Sequence, residues 1–212
     1  NGRGVPQDDG KAALWSRKAA EQGLAAAQYN LGFMYETGKG VHRDDAQAFE
    51  WYQHSAESGY PVAQRSLGNL YAAGRGIGRD LTKALDWYQR AAEGEDSRAM
   101  FNLAFHYLKG VGVKKNNATA RKWFRRAGER GDPDARFNLG VLFETGQGVD
   151  IDLEEAVHWY HSAAEAGSVA AQFNLGVLHH LGKGVPRDYH RAFDWYEVAA
   201  KQEYGPAENA LG

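Results

Sequence analysis

The chain has 212 residues, 25% of them charged and 43% hydrophobic, a composition that argues against disorder. Its 25 Lys plus Arg against 27 Asp plus Glu give a net charge of −2, without the basic excess of a general nucleic-acid binder. No apolar run approaches the roughly 20 residues of a membrane-spanning helix, and the absence of cysteine removes disulfides, cysteine zinc sites and thiol nucleophiles.

A fixed period organises everything else. The six tryptophans fall at Trp15, Trp51, Trp87, Trp123, Trp159 and Trp195, each 36 residues from the next. Leu31, Leu67, Leu103, Leu139, Leu175 and Leu211 keep the same step, as do Ala27, Ala63, Ala99, Ala135, Ala171 and Ala207. Gly-x-Gly pairs recur at Gly2/Gly4, Gly38/Gly40, Gly74/Gly76, Gly110/Gly112, Gly146/Gly148 and Gly182/Gly184. No insertion or deletion separates the copies. Such self-similarity is the signature of a repeat architecture.

In chain order, residues 1–22 read as a partial repeat holding one helix. Whole repeats follow at 23–58, 59–94, 95–130, 131–166 and 167–202, and 203–212 opens a further one. The chain is therefore expected to be a fragment, or the ordered part, of a longer protein. Each repeat predicts two helices. Helix A is exemplified by 24–36, where Ala27, Leu31, Met34 and Tyr35 line one face at i, i+4, i+7 and i+8. The Gly-x-Gly pair ends it, since glycine tolerates the left-handed conformation of a helix stop. Helix B is exemplified by 45–58, with Ala48, Trp51, Tyr52, Ser55 and Ala56 on one face. Asp44, Asp80, Asn116, Asp152 and Asp188 stand just before the B helices as caps. Gly23, Gly59, Gly131 and Gly167 close them.

Gly32, Gly68, Gly140 and Gly176 fall inside A helices, where glycine costs roughly 1 kcal/mol against alanine. Their recurrence predicts a close helix–helix approach. One hairpin cannot bury both sides of its apolar face, but stacked neighbours can, so the expected fold is an all-α solenoid of 36-residue helix-turn-helix repeats.

The strings 30–59, "NLGFMYETGKGVHRDDAQAFEWYQHSAESG", and 138–167, "NLGVLFETGQGVDIDLEEAVHWYHSAAEAG", resemble the Sel1-like repeat (SLR), a relative of the tetratricopeptide repeat. The resemblance covers essentially the whole chain. It implies a right-handed α/α superhelix with a concave face built from helix A. It also implies an adaptor or scaffold, usually bacterial when several repeats occur in tandem. The missing cysteines exclude the disulfide-rich branch of the family. The fourth helix B departs from the pattern with Asn116 and Gly128, and the helix A before it carries Ala104 for glycine, so that region is expected to be looser or specialised.

Candidate partner-binding positions are those of helix A expected to point away from helix B. One row is Tyr29, Arg65, Phe101, Phe137 and Phe173. Four residues on comes Phe33, Asn69, Phe105, Val141 and Val177, on the same helix face. Asn30, Ser66, Asn102, Asn138 and Asn174 run between them, and His180 lies at the rim. Asparagine offers donor and acceptor to a peptide backbone, and aromatics anchor interfaces. The alternative is that the asparagines bond neighbouring helices and the rings fill gaps between repeats. A second candidate is the basic run Lys114, Lys115, Arg121, Lys122, Arg125, Arg126 and Arg130, interrupted by Glu129 alone and flanked in the array by acidic B helices. It suits an acidic partner, a phosphate-rich ligand or a membrane surface, or else is a solvated face.

Catalytic chemistry is not legible. The pair Glu154/His158 has i, i+4 spacing, but no further metal ligand is implied. His106 and His179 occupy places held elsewhere by Met, Leu or Tyr and read as packed substitutes. No nucleophile elbow, P-loop or dinucleotide fingerprint occurs. Asn117-Ala118-Thr119 is a glycosylation sequon only in a secreted eukaryotic setting. The expected function is a scaffold without catalysis or cofactor that binds a protein or peptide on helix A and has no nucleic-acid partner. Alternatives are an immunity protein that neutralises a toxic enzyme, or a virulence factor that binds a host protein. The compartment is left open between exported and cytoplasmic.

Overall fold

The computed structural model describes residues 8–211, so the Gly2/Gly4 pair lies outside the described residues. Among these residues there are twelve α-helices and no strand. They are α1 (Asp9–Glu21), α2 (Ala25–Thr37), α3 (Asp45–Glu57), α4 (Pro61–Ala73), α5 (Leu81–Glu93), α6 (Ser97–Lys109), α7 (Asn117–Glu129), α8 (Pro133–Thr145), α9 (Leu153–Glu165), α10 (Val169–Leu181), α11 (Tyr189–Ala200) and α12 (Gly205–Leu211). Even numbers are A helices and odd numbers B helices. The chain divides into two compact halves, Asn1–Met100 and Phe101–Gly212.

Local chemistry sets the helix ends. The Asp44 carboxylate accepts from the backbone N–H groups of Ala46 and Gln47 at 2.9 and 3.0 Å. Asp80, Asn116, Asp152 and Asp188 cap the later B helices in the same way, satisfying donors that the first turn leaves free. Helix A stops at Gly38, Gly74, Gly146 and Gly182, all left-handed. The second glycine of the pair serves packing as well as conformation. A β-carbon on Gly76 would stand 2.0 Å from the carbonyl oxygen of Asp45, and one on Gly184 would stand 2.5 Å from that of Leu153. Each loop is thus pressed against the start of the preceding helix B.

Helix B ends on a left-handed residue at Gly23, Gly59, Gly131 and Gly167, as the sequence predicts. The matching places in the other two copies are held by Glu95 (φ 72°) and Glu203 (φ 60°). These are the only non-glycine residues with positive φ among the described residues.

The expected close approach occurs inside each hairpin. A β-carbon on Gly32, Gly68, Gly140 or Gly176 would fall 2.5 to 2.7 Å from a ring carbon of Tyr52, Tyr88, Tyr160 or Tyr196. Tyr52 and Tyr160 are fully buried, and their hydroxyls donate to Glu36 and Glu144, both at 2.6 Å. Consecutive hairpins are joined by side chain to backbone bonds: Gln64 Nε2 donates to the Ala56 carbonyl at 3.1 Å and Gln172 Nε2 to that of Ala164 at 3.3 Å.

The looseness expected around α7 is not found. Ala104 and Phe124 are fully buried. The pair replaces glycine and tyrosine together, and Leu108 stands where Glu36 and Glu144 accept the tyrosine hydroxyls. Gly128 is buried too, and its carbonyl accepts from Arg136 Nε at 2.9 Å, the role glutamine plays in other copies. A β-carbon on Gly128 would stand 3.2 Å from Arg136 Cγ, so the small residue accommodates the larger one.

Candidate functional site

The first helix A row does not turn away from helix B. Tyr29 packs its ring 5.6 Å from Tyr52 and 5.6 Å from Tyr60. Phe101 lies 5.6 Å from Phe124, Phe137 lies 5.8 Å from Tyr160, and Phe173 lies 5.6 Å from Tyr196 and from Tyr204. Each ring is half-buried on helix B of its own hairpin. The expectation failed because helix A and helix B meet over a broad face, and this row sits at its edge. Arg65 is committed as well: its Nε donates to Asp96 at 3.0 Å, and the Asp96 carboxylate also accepts from the Ala99 backbone at 2.8 Å.

The second row divides. Phe33 and Phe105 are 44% and 43% exposed. Val141 and Val177 are half-buried, and Asn69 Oδ1 accepts from the Tyr88 hydroxyl at 2.8 Å. Of the asparagines, Asn138 donates to the Asp134 carbonyl at 2.7 Å within its own helix, and Asn174 is half-buried. Asn102 is half-buried, and Asn30 is exposed. Asn30 and Phe33 line a depression of about 250 Å³ with Asp9, Ala12, Ser16, Met34 and Lys39. His180 is exposed and lies edge-on to Tyr189, ring centres 5.3 Å apart.

The basic run is distributed over the loop before α7, the helix and its C-terminus. Lys114, Lys115, Lys122 and Arg130 are exposed, whereas Arg121, Arg125 and Arg126 are half-buried. Arg126 stacks on Trp123, 4.8 Å from the ring centre. Arg125 donates to Glu155 Oε1 at 2.9 Å, and the same oxygen accepts from the Trp159 indole at 2.9 Å. Arg125 is therefore neutralised by the acidic helix that follows it. Sequence reading treated the basic and acidic helices as separate islands and missed this pair, since it is set by the lateral contact of consecutive B helices.

The histidines read as core are partly so. His179 is 7% exposed, and His106 is half-buried with Nδ1 2.7 Å from the Val111 carbonyl. Burial and the neighbouring Arg191 hold His179 below the ordinary imidazole range. Among the described residues, no group of three or more His, Asp or Glu is placed to hold a metal ion, and no helix is long and apolar enough to cross a membrane.

Helix hairpins of one length, joined by repeated caps, glycine loops and carbonyl-capping glutamines, define a tandem α-helical repeat protein. The Sel1 repeat family model matches residues 1–24, 25–60, 61–96, 97–132, 133–168 and 169–204, and the chain belongs to the Sel1 repeat family. Repeats of this family are generally non-catalytic scaffolds for protein interaction. Among solved structures, the chain is similar to a protective antigen of uropathogenic Escherichia coli displaying an SLR fold, with 36% identity and a TM-score of 0.93. That match covers 100% of this chain and 45% of the antigen, so the chain spans less than half of that protein's length. A Sel1 repeat protein of Oxalobacter formigenes shares 36% identity with a TM-score of 0.82, over 86% of this chain and 75% of its own. An immunity protein of Pseudomonas aeruginosa shares 25% identity with a TM-score of 0.52, over 96% of this chain and 70% of its own.

Proposed function

We propose that this chain is a non-catalytic scaffold that holds a partner protein or peptide on the exposed residues of its A helices. The observation that carries this reading is the exposure of Phe33 and Phe105, 44% and 43%, in helices whose other large apolar side chains are mostly buried or half-buried. An exposed ring on a rigid helix supplies apolar contact area at little entropic cost. At Phe33 the ring borders a depression with Asn30 for backbone hydrogen bonds and Asp9 and Lys39 at its edges. The exposed Lys114, Lys115, Lys122 and Arg130 add a positive field that favours an acidic partner.

The test is quantitative capture of partner protein from cell extract. Phe33→Ala combined with Phe105→Ala is expected to weaken capture by about tenfold, the loss of one anchoring aromatic or more, with little change in melting temperature. Capture that is unaffected would end the helix A reading.

A second reading is an immunity protein that occludes a toxic enzyme. It is supported by the likeness to the Pseudomonas aeruginosa immunity protein. Inhibition of a co-encoded enzyme by the purified chain would establish it.

A further inference from the structure

The loops that lead from helix A to helix B touch one another within the second half of the chain. A β-carbon on Gly148 would stand 2.5 Å from Cβ of Asn117, the first residue of α7. One on Gly184 would stand 2.5 Å from the carbonyl oxygen of Leu153, the first residue of α9. The loop 146–152 is thus pressed to the end of the loop 110–116, and the loop 182–188 to the end of 146–152. Together they make one continuous edge.

The matching loops of the first half carry cations that are all engaged. Lys39 pairs with Asp9 at 3.9 Å, Arg43 with Asp45 at 3.2 Å, and Arg75 with Glu36. Arg79 donates to the Ala72 carbonyl at 3.2 Å. The second half differs. Lys109, Lys114, Lys115, Lys183 and Arg187 are exposed and make no ion pair among the described residues. The acidic residues of these loops are Asp150, Asp152 and Asp188, and the last two are committed to capping α9 and α11.

Exposed aliphatic side chains stand among these cations: Val111 at 38%, Ile151 at 64% and Leu181 at 51%. The period shows that they are not displaced core. Val111 takes the place of Lys39, Arg75 and Lys183, and Ile151 that of Arg43, Arg79, Lys115 and Arg187. Leu181 takes the place of Thr37, Ala73, Lys109 and Thr145. Those counterparts are exposed as well, apart from the half-buried Arg75, so the exposure belongs to the position and not to the place of the repeat in the array.

Aliphatic tips that project from glycine-turned loops, interleaved with unpaired lysines, do not make a receptacle for the anchor of a folded partner. They suit a medium that yields around them. The headgroup layer of a bilayer takes up apolar tips at shallow depth, while Lys and Arg lay their stems along it and reach anionic phosphates.

We propose that the edge formed by the loops 110–116, 146–152 and 182–188 docks on the surface of a bilayer rich in anionic phospholipid. Val111, Ile151 and Leu181 enter the headgroup layer, and the five unpaired cations meet its phosphates. Such binding is peripheral and needs no spanning helix. It does not rest on Phe33 and Phe105.

The test is co-sedimentation of the full chain with vesicles of phosphatidylglycerol mixed with phosphatidylcholine, and with vesicles of phosphatidylcholine alone. Binding to the anionic vesicles only, weakened by added salt, is expected. Lys114→Gln with Lys115→Gln should lower partition about twenty-five-fold, since each cation at an anionic surface is worth about fivefold. Ile151→Ser with Leu181→Ser should lower it about tenfold through lost apolar contact. Arg43→Gln with Arg79→Gln, at the same loop position in the first half, should change it by less than about twofold. All these residues are exposed, and circular dichroism should show unchanged helix content. No sedimentation with anionic vesicles, an equal loss from the Arg43 and Arg79 pair, or full binding by the Ile151 and Leu181 variant would each overturn the proposal. Tighter binding to soluble polyglutamate than to anionic vesicles would overturn it in favour of an acidic protein partner.

Discussion

The missing side chain of Gly140 would lie 2.5 Å from Cδ1 and Cε1 of the Tyr160 ring. The glycine is there for proximity, since its backbone is helical and needs no special conformation. Gly140→Ala is therefore expected to destabilise the chain by about 1 to 3 kcal/mol through overpacking, although alanine is the better helix former by roughly 1 kcal/mol. Ala104→Gly is also expected to destabilise, because a buried methyl is lost along with helix propensity. Urea unfolding midpoints would check both signs, and a stabilised Gly140→Ala protein would refute the close-approach explanation.

Gly59 ends α3 with φ 82°, and a β-carbon there would meet nothing within 4 Å. The cost of Gly59→Ala is then backbone strain alone, about 1 kcal/mol net once the entropy of the unfolded glycine is subtracted. Glu203 holds the same kind of conformation without being glycine. Glu203→Gly should be neutral or stabilising by up to about 1 kcal/mol by the same balance. Thermal unfolding of the two single variants would separate strain from packing.

His179 has its imidazole pKa lowered from 6.5, first by burial and next by Arg191, with Asp188 opposing. Folding thus prefers the neutral ring. That contribution is complete above pH 6.5 and is lost as the pH falls from 6.5 through the lower folded value. The expected result is a melting temperature that drops below pH 6.5, with a shallower drop in His179→Tyr, the residue of the equivalent place in three other copies. Equal slopes in both proteins would show that His179 does not titrate with unfolding.

Tyr52 and Tyr160 are raised above the ordinary phenol value of 10.0, mainly by burial and next by donation to Glu36 and Glu144. A raised folded pKa means stability that is present below pH 10.0 and lost as the pH climbs above it. Unfolding monitored by circular dichroism should become easier above pH 10 in the parent chain. Tyr160→Phe should blunt that alkaline loss while costing about 1 kcal/mol at neutral pH for the hydrogen bond to Glu144.

Periodicity carried most of the architecture because every repeated residue has a local duty. Asp44 caps through its own side chain, Gly38 stops a helix through its own backbone, and Gly32 announces a neighbour too close for a β-carbon. Such duties depend on a few adjoining residues and are written into spacing. The exchange of Gly for Ala104 was legible as a departure, but its pairing with Phe124 in place of Tyr was not, because compensation takes place between two helices. The same reason hid the fate of Tyr29, Phe137 and Phe173, whose rings lie on helix B rather than facing outward.

From the residues alone follow the helix pairs, their length, their caps and the family they belong to, since these arise from short-range hydrogen bonding and a strict period. Only the packed molecule decides which side chains remain accessible. Arg65 is spent on Asp96 and Arg125 on Glu155. Those outcomes depend on distances between residues about 30 apart, fixed when one hairpin settles against the next.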